Sequence, residues 1–232
     1  MEHLSNIEVF YSTEIVGNEI KLEGDEFNHC FNVFRKRIND HLFVTDGKGN
    51  LYKTLIAQIK NNFLISEIIE KFFIPNTSEN LVICIPLLKS KDRFRFLIEK
   101  CVELGITRFY FFRSGRTIPT KFDGEKIKKI MIESLKQSIR TYLPKFDFLD
   151  SFNKLIKKAS SEGQIFLFDL ESDEKFNKEL IIPVKNNFFI FGPEGGLSKE
   201  ELKSVNKDKI FNLSKARLRT ETAIIKLVSI IT

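Results

Sequence analysis

Tryptophan is absent from the 232 residues, and cysteine, histidine and methionine are scarce at three, three and two. Cys30, Cys84 and Cys101 stand far apart and form no C-x-x-C pair. That excludes a disulfide framework and a thiolate zinc site, and it suits a reducing cytosol. His3, His29 and His41 form no H-E-x-x-H, so no metal is expected. No apolar run approaches the roughly 18 to 20 residues of a membrane span. The N-terminus lacks the basic-then-apolar pattern of a signal peptide. A cytoplasmic chain with no membrane partner is the expectation. Internal repeats and low-complexity segments are also missing. So are the Gly-Lys-Ser/Thr and G-x-G-x-x-G loops that cradle nucleotide phosphates. What is present is a 42% hydrophobic content, including 24 phenylalanines, which is ample for a core. The phenylalanine excess reads as codon bias and carries no functional meaning.

Charge is unevenly placed. The formal net charge is +6. Residues 1–74 hold 8 Lys+Arg against 11 Asp+Glu, whereas residues 89–145 hold 15 against 6. The basic residues of that window alternate with aromatics, as in Arg93-Phe94-Arg95-Phe96 and from Arg108 to Arg113. Cations outside and aromatics inside describe ordinary amphipathic packing. They also describe a surface for RNA or DNA.

The chain changes rhythm near residue 74. Before it, Glu19–Glu23 alternates with period two. The runs 41–46 and 51–59 flank an Asp46-Gly47-Lys48-Gly49 turn signal, and 63–69 is a further strand. Residues 25–37 read as a helix with Asp25 as N-cap. A small β-barrel over 1–73 carrying one helix is the natural assembly. Residues 74–80, with Pro75 and Asn76, read as a linker. From 81 to 232, strands at 81–88, 108–112, 164–170, 187–191 and 209–213 alternate with helices. Ser90 caps a helix whose Phe94, Leu97, Ile98, Cys101 and Leu104 form a stripe, stopped by Gly105. Helices are also expected at 125–140, after Ser198 and at 220–231. That alternation predicts an α/β fold with a parallel sheet, which binds ligands beyond its strand C-termini.

Four clusters carry chemistry. Gly192-Pro193-Glu194-Gly195-Gly196 lies between a strand and a helix opened by the Ser198/Glu201 capping box. Its glycines allow a close approach to a ligand, and Glu194 would repel phosphate. A ligand with positive or donor groups, such as S-adenosylmethionine, fits better. Second, Arg217 and Arg219 precede a helix start, where cations are unfavourable, so an anionic partner is indicated. Thr220 or Thr222 can cap that helix, and Glu221 is well placed at its positive end. Third, Glu133, Gln137 and Arg140 share a helical face by spacing. Fourth, Lys100 and Glu103 form an i, i+3 pair.

Together these clusters resemble the RsmE-type ribosomal RNA methyltransferases of the SPOUT superfamily, which methylate N3 of a uridine in 16S ribosomal RNA. The matching stretches are Lys89 to Arg93, Glu99 to Ile106, Glu133 to Arg140, Gly192 to Gly196 and Leu218 to Ala223. Asn28-His29 and Val33-Phe34-Arg35 match near the N-terminus. The family carries Gly where Ser214 stands and Arg where Ala216 stands, with Arg217 one place later. The resemblance implies a PUA-like β-barrel, an α/β domain with a trefoil knot, a homodimer, and a small-ribosomal-subunit substrate.

It further implies S-adenosylmethionine held by Leu170, Phe191, Gly192, Gly195, Gly196, Leu197, Leu213, Ser214, Leu218 and Thr220. Arg219 is the candidate for stabilising charge on the uracil, and Glu194 and Glu221 are candidate bases. Glu221 is equally a favourable charge at a helix start. Arg35, Arg37, Lys89, Arg93, Gln137, Arg140 and Arg217 are candidates for RNA contact. The rivals are a SPOUT enzyme acting on another target, such as a ribose 2′-hydroxyl, and a non-catalytic RNA-binding protein.

Overall fold

A computed structural model describes residues 7–117 and 121–232. The chain divides into two compact units, Met1–Thr77 with Ile132–Leu143, and Ser78–Met131 with Pro144–Thr232.

The first unit is built on a mixed six-stranded sheet. Its strands are β1 (Val9–Tyr11), β2 (Ile15–Val16), β3 (Glu19–Glu23), β4 (His41–Thr45), β5 (Asn50–Ile59) and β6 (Phe63–Phe73). They pair in the order β1-β4-β5-β6-β3-β2. Only β1–β4 is parallel. Period-two alternation has its expected result in β3, where Ile20 and Leu22 are buried and their neighbours are exposed or half-buried. The Asp46 carboxylate organises the β4–β5 turn. It accepts from Lys48 N at 2.8 Å, Asn50 N at 3.2 Å and Asn50 Nδ2 at 2.6 Å. Strands β1 and β2 carried no clear sequence signal, being three and two residues long.

The expected helix over 25–37 is corrected. It begins as α1 (Gly24–Asn28) and continues as a π-helical turn, His29–Val33. Glu23, not Asp25, holds the N-cap position, without a side-chain hydrogen bond. Glu26 on α1 does more: it accepts from Tyr11 N at 3.0 Å and pairs with Lys136 at 2.5 Å. Lys136 lies at the end of α3 (Gly124–Gln137), so the last turn of that helix belongs to the first unit. The helix stops before Arg140, which the sequence placed on its face. Arg140 N reaches back to Leu135 O, and Ile139 takes φ of +55°. That is the left-handed C-terminal turn usually given to glycine.

The second unit is a parallel sheet of β7 (Leu81–Pro86), β8 (Arg108–Phe112), β9 (Lys145–Leu149), β10 (Gly163–Phe168), β11 (Asn186–Phe191) and β12 (Ile210–Phe211). The order is β12-β10-β11-β7-β8-β9. Every residue of β7 is buried, as an apolar run in a parallel sheet requires. Helix α2 (Lys91–Glu103) starts at Ser90, whose side chain accepts from Arg93 N, and ends at Gly105 with φ of +95°. The Lys100–Glu103 pair forms at 2.7 Å. Strand β9 and α4 (Phe152–Glu162) went unread, although Phe152, Leu155 and Ala159 supply one face of the core. Two of the expected strands that end short bear on the site. β10 ends at Phe168 and β12 at Phe211, which releases Leu170 and Leu213 into loops. The remaining helices are α5 (Lys199–Lys203) and α6 (Thr220–Ile231). All three cysteines are free and buried, and burial raises each thiol pKa, that of Cys30 to about 12.

Among the described residues, no helix is long and apolar enough to cross a membrane, and no group of three metal-ligating side chains occurs.

Candidate functional site

Three loops follow the C-terminal ends of β10, β11 and β12 and converge on one cavity of about 890 Å³. The first supplies Asp169, Leu170 and Glu171. The second runs from Gly192 to Leu197 and ends in α5, whose Ser198/Glu201 capping box is complete on both sides. The third runs from Leu213 to Arg219 and ends in α6.

Hydrogen bonds between the loops explain why they stay together. Asn212 Nδ2 donates to Leu170 O at 2.6 Å, tying the third loop to the first. Thr220 Oγ1 donates to Gly192 O at 3.0 Å, tying it to the second. Thr220 therefore does not cap α6, which corrects the sequence reading. Arg219 occupies the N-cap position, with no side-chain hydrogen bond there. Within the second loop, Gly196 N donates to Pro193 O at 2.8 Å, and Gly196 takes φ of +71°. A Cβ on Gly192 would lie 3.2 Å from both Cγ and the backbone nitrogen of Leu197. A side chain there would push the loop apart.

All ten residues assigned from sequence to the cofactor line this cavity: Leu170, Phe191, Gly192, Gly195, Gly196, Leu197, Leu213, Ser214, Leu218 and Thr220. Glu194, Arg217 and Arg219 line it too. Arg217 and Arg219 are exposed, and their guanidiniums make no hydrogen bond or ion pair among the described residues. Glu194 is exposed and accepts from Lys89 N at 3.2 Å. It is the backbone of Lys89, not its ammonium, that meets the loop.

Glu221 is placed differently from the sequence expectation. It does not line the cavity, and it is buried at the start of α6. Its Oε1 lies 3.7 Å from Arg93 Nε, and its Oε2 has no partner. This geometry favours the helix-start role over proton abstraction at the cavity, and it gives Arg93 a partner within the protein. Arg35, Arg37, Gln137 and Arg140 belong to the first unit, whereas the cavity is formed within the second. Arg35 is exposed with φ of +54°, and Arg37 stacks its guanidinium over Phe31 at 4.9 Å. Gln137 closes α3, and Arg140 follows it.

Sequence reasoning missed several cavity residues: Arg116, Asp169, Glu171, Lys199 and Asn212. Asp169 could have been found as the first polar residue after a buried strand. Arg116 had no local signal, because it comes from the loop after β8. Its charge helps hold the Glu200 carboxyl below the usual range. The main cause there is hydrogen bonding to the backbone N–H of Glu200, followed by the Ser198 side chain.

The cavity suits S-adenosylmethionine. Leu170, Phe191, Leu197, Leu213 and Leu218 offer apolar wall for an adenosine, and loop backbone offers donors and acceptors. Asp169, Glu171 and Glu194 supply negative charge for a sulfonium and an ammonium.

Similarity to known proteins identifies the family. A family model described as RNA methyltransferase domain matches residues 75–232. The chain is 30% identical to the ribosomal RNA small subunit methyltransferase E of Mesomycoplasma hyopneumoniae, over 95% of this chain and 96% of that protein. The chain belongs to the ribosomal RNA small subunit methyltransferase E family. A second model of this family's architecture, described as RNA methyltransferase PUA domain, matches residues 22–69. The family member from Aquifex aeolicus is 28% identical over 96% of this chain and 98% of its own length. The crystal structure of the Neisseria gonorrhoeae family member bound to S-adenosyl methionine superimposes with a TM-score of 0.84. It is 25% identical and covers 97% of this chain and 96% of that one.

Proposed function

We propose that this protein transfers a methyl group from S-adenosylmethionine to N3 of a specific uridine in 16S ribosomal RNA. The observation that carries this reading is the convergence of the glycine loop and the Leu218-to-Thr220 stretch on one cavity, in a chain of this family.

When bound, S-adenosylmethionine supplies a methyl group already activated by its sulfonium, so the protein's work is placement and charge. The loops at 169–171, 192–197 and 213–219 hold the donor, and their mutual hydrogen bonds keep the wall rigid before binding. Uracil N3 carries a proton, which must leave as the N–C bond forms. Arg219 stabilises the negative charge that develops on a uracil carbonyl oxygen. Its exposed, unpaired guanidinium at the cavity edge supports that assignment. Glu194 is the base, since it lines the cavity while Glu221 does not. Arg35, Arg37, Lys89, Gln137, Arg140 and Arg217 hold RNA phosphates, and the target base is reached unstacked.

The reading carries a homodimer with it, a cytoplasmic location, a barrel-like first unit over 1–73 joined by 74–80 to the methyltransferase domain, and a knotted C-terminal chain. The knot is what the family resemblance implies. In this unit the loop at 169–177 bonds with Asn212, through Asn212 N to Glu174 O and Phe176 N to Asn212 O. The third loop thus runs against the first before the chain turns back to Gly192.

The test is incubation with S-adenosylmethionine and small-subunit particles from cells lacking this gene, followed by nucleoside analysis. The expected product is 3-methyluridine at one position. A 2′-O-methyl nucleoside would sink the N3 assignment, and no methylation of particles or free RNA would sink the enzyme reading.

A further inference from the structure

The proposed chemistry leaves Arg116 and Glu201 without a role, yet the two are tied together at the cavity. Arg116 Nη1 donates to Gly195 O at 2.9 Å. One residue earlier, Gly115 N donates to Glu201 Oε1 at 2.8 Å. The other carboxylate oxygen, Glu201 Oε2, accepts from Ser198 N at 2.7 Å and closes the capping box. A capping box requires only the second of these bonds. The first fastens the loop after β8 to the start of α5. The turn is closed on itself, with Ser114 N donating to Thr117 Oγ1 at 2.9 Å and Thr117 N to Ser114 O at 3.0 Å.

The other cations lining the cavity are Lys199, Arg217 and Arg219, whose side chains have no partner among the described residues. Unanchored cations suit a long, adaptable polyanion. A guanidinium fixed through one N–H, with further N–H groups still to donate, suits a small anion in a set place. Donors fixed in advance bind without an added ordering cost. S-adenosylmethionine has one anionic group, the carboxylate of its amino-acid arm, and carboxylates match the guanidinium fork. Resting on the function proposed above, we propose that Arg116 binds that carboxylate and that Glu201 is the positioning residue that holds Arg116 there.

Calorimetry on the full chain tests this with two ligands. S-adenosylhomocysteine carries the amino-acid arm, and 5′-methylthioadenosine lacks it. Arg116→Gln should weaken S-adenosylhomocysteine by about tenfold or more, a charge-assisted pair being lost, and leave methylthioadenosine within about twofold. Glu201→Gln keeps a capping-box residue but cannot accept both bonds. It should show the same ligand-selective loss at about threefold. Arg116→Lys, which keeps the charge, should fall between wild type and Arg116→Gln for S-adenosylhomocysteine. Equal losses for both ligands would make Arg116 a wall residue and overturn the proposal, as would no loss for either. Loss of RNA affinity with S-adenosylhomocysteine binding intact would assign Arg116 to phosphate and also overturn it. Wild-type protein that binds neither ligand would overturn the proposed function itself.

Discussion

The cavity loops and the basic window were both read as functional surfaces, and they are built in opposite ways. The loops at 169–171, 192–197 and 213–219 span some fifty residues of chain and meet in one unit around one space. The window at 89–145 is continuous in sequence but is divided, with 89–131 in the second unit and 132–143 in the first. The difference lies in what positions each group. Cavity residues sit at strand ends of a single parallel sheet, so the sheet aligns them. Most of the basic residues sit on helices and loops, with Arg108 and Lys145 at strand starts, each following whichever core its own apolar neighbours join. A small-molecule site needs fixed donors at short range. Phosphate contacts act at longer range and tolerate dispersion.

That contrast can be broken experimentally, and the largest effect is expected at the cavity edge. Arg219→Ala should lower methyl transfer by about 100-fold or more, as removal of a charge-stabilising donor does. Its melting temperature should stay unchanged, because the side chain is exposed and unpaired. A marked fall in melting temperature would make the residue structural.

Next comes the ion pair between Glu26 and Lys136, both in the first unit. Lys136→Met leaves the Glu26 carboxylate, mostly shielded from solvent, without its cation. Urea unfolding should report a loss of roughly 2 kcal/mol. No loss would mean that apolar packing alone recruits the helix end.

Gly192→Ala should weaken S-adenosylmethionine by about tenfold in calorimetry, because the new methyl crowds Leu197 against the loop. RNA affinity should not change, and if it did, the two surfaces would not be separable. The smallest effect is expected from Arg35→Ala. RNA affinity should fall a few-fold at every sequence tested, with the salt slope reduced by roughly 0.7 to 0.9, and donor affinity should be untouched.

Legibility in the sequence followed the range of the interaction. Period-two alternation in β3, the Ser90 and Ser198 caps and the Gly105 stop are local, and each stands where the pattern indicated. The expected helix over 25–37 shifted its start and passed into a π-helical turn. Its phenylalanines repeat helically, but packing against the first unit's sheet set its geometry. Thr220 looked like a cap because cap propensity is local. Its hydroxyl was instead claimed by Gly192 O, twenty-eight residues away. Glu221 is a candidate base only through the family resemblance, and contact with α2 turned it toward Arg93. β9 and α4 were missed because short amphipathic runs between loops differ little from loops until a core selects one face.

By itself, the sequence determined a run of strands followed by a β/α alternation, the loops that carry glycine and arginine, and the family to which they belong. Those features are written in short-range pattern, where backbone sterics and hydrophobic period act within a few residues. Only the tertiary structure decided which side chains face the cavity. It brought Arg116 in from the loop after β8, turned Glu221 away, and gave Glu201 a second partner. Those outcomes depend on hydrogen bonds between residues tens of positions apart, whose partners are chosen by the packed sheet and not by the neighbouring chain.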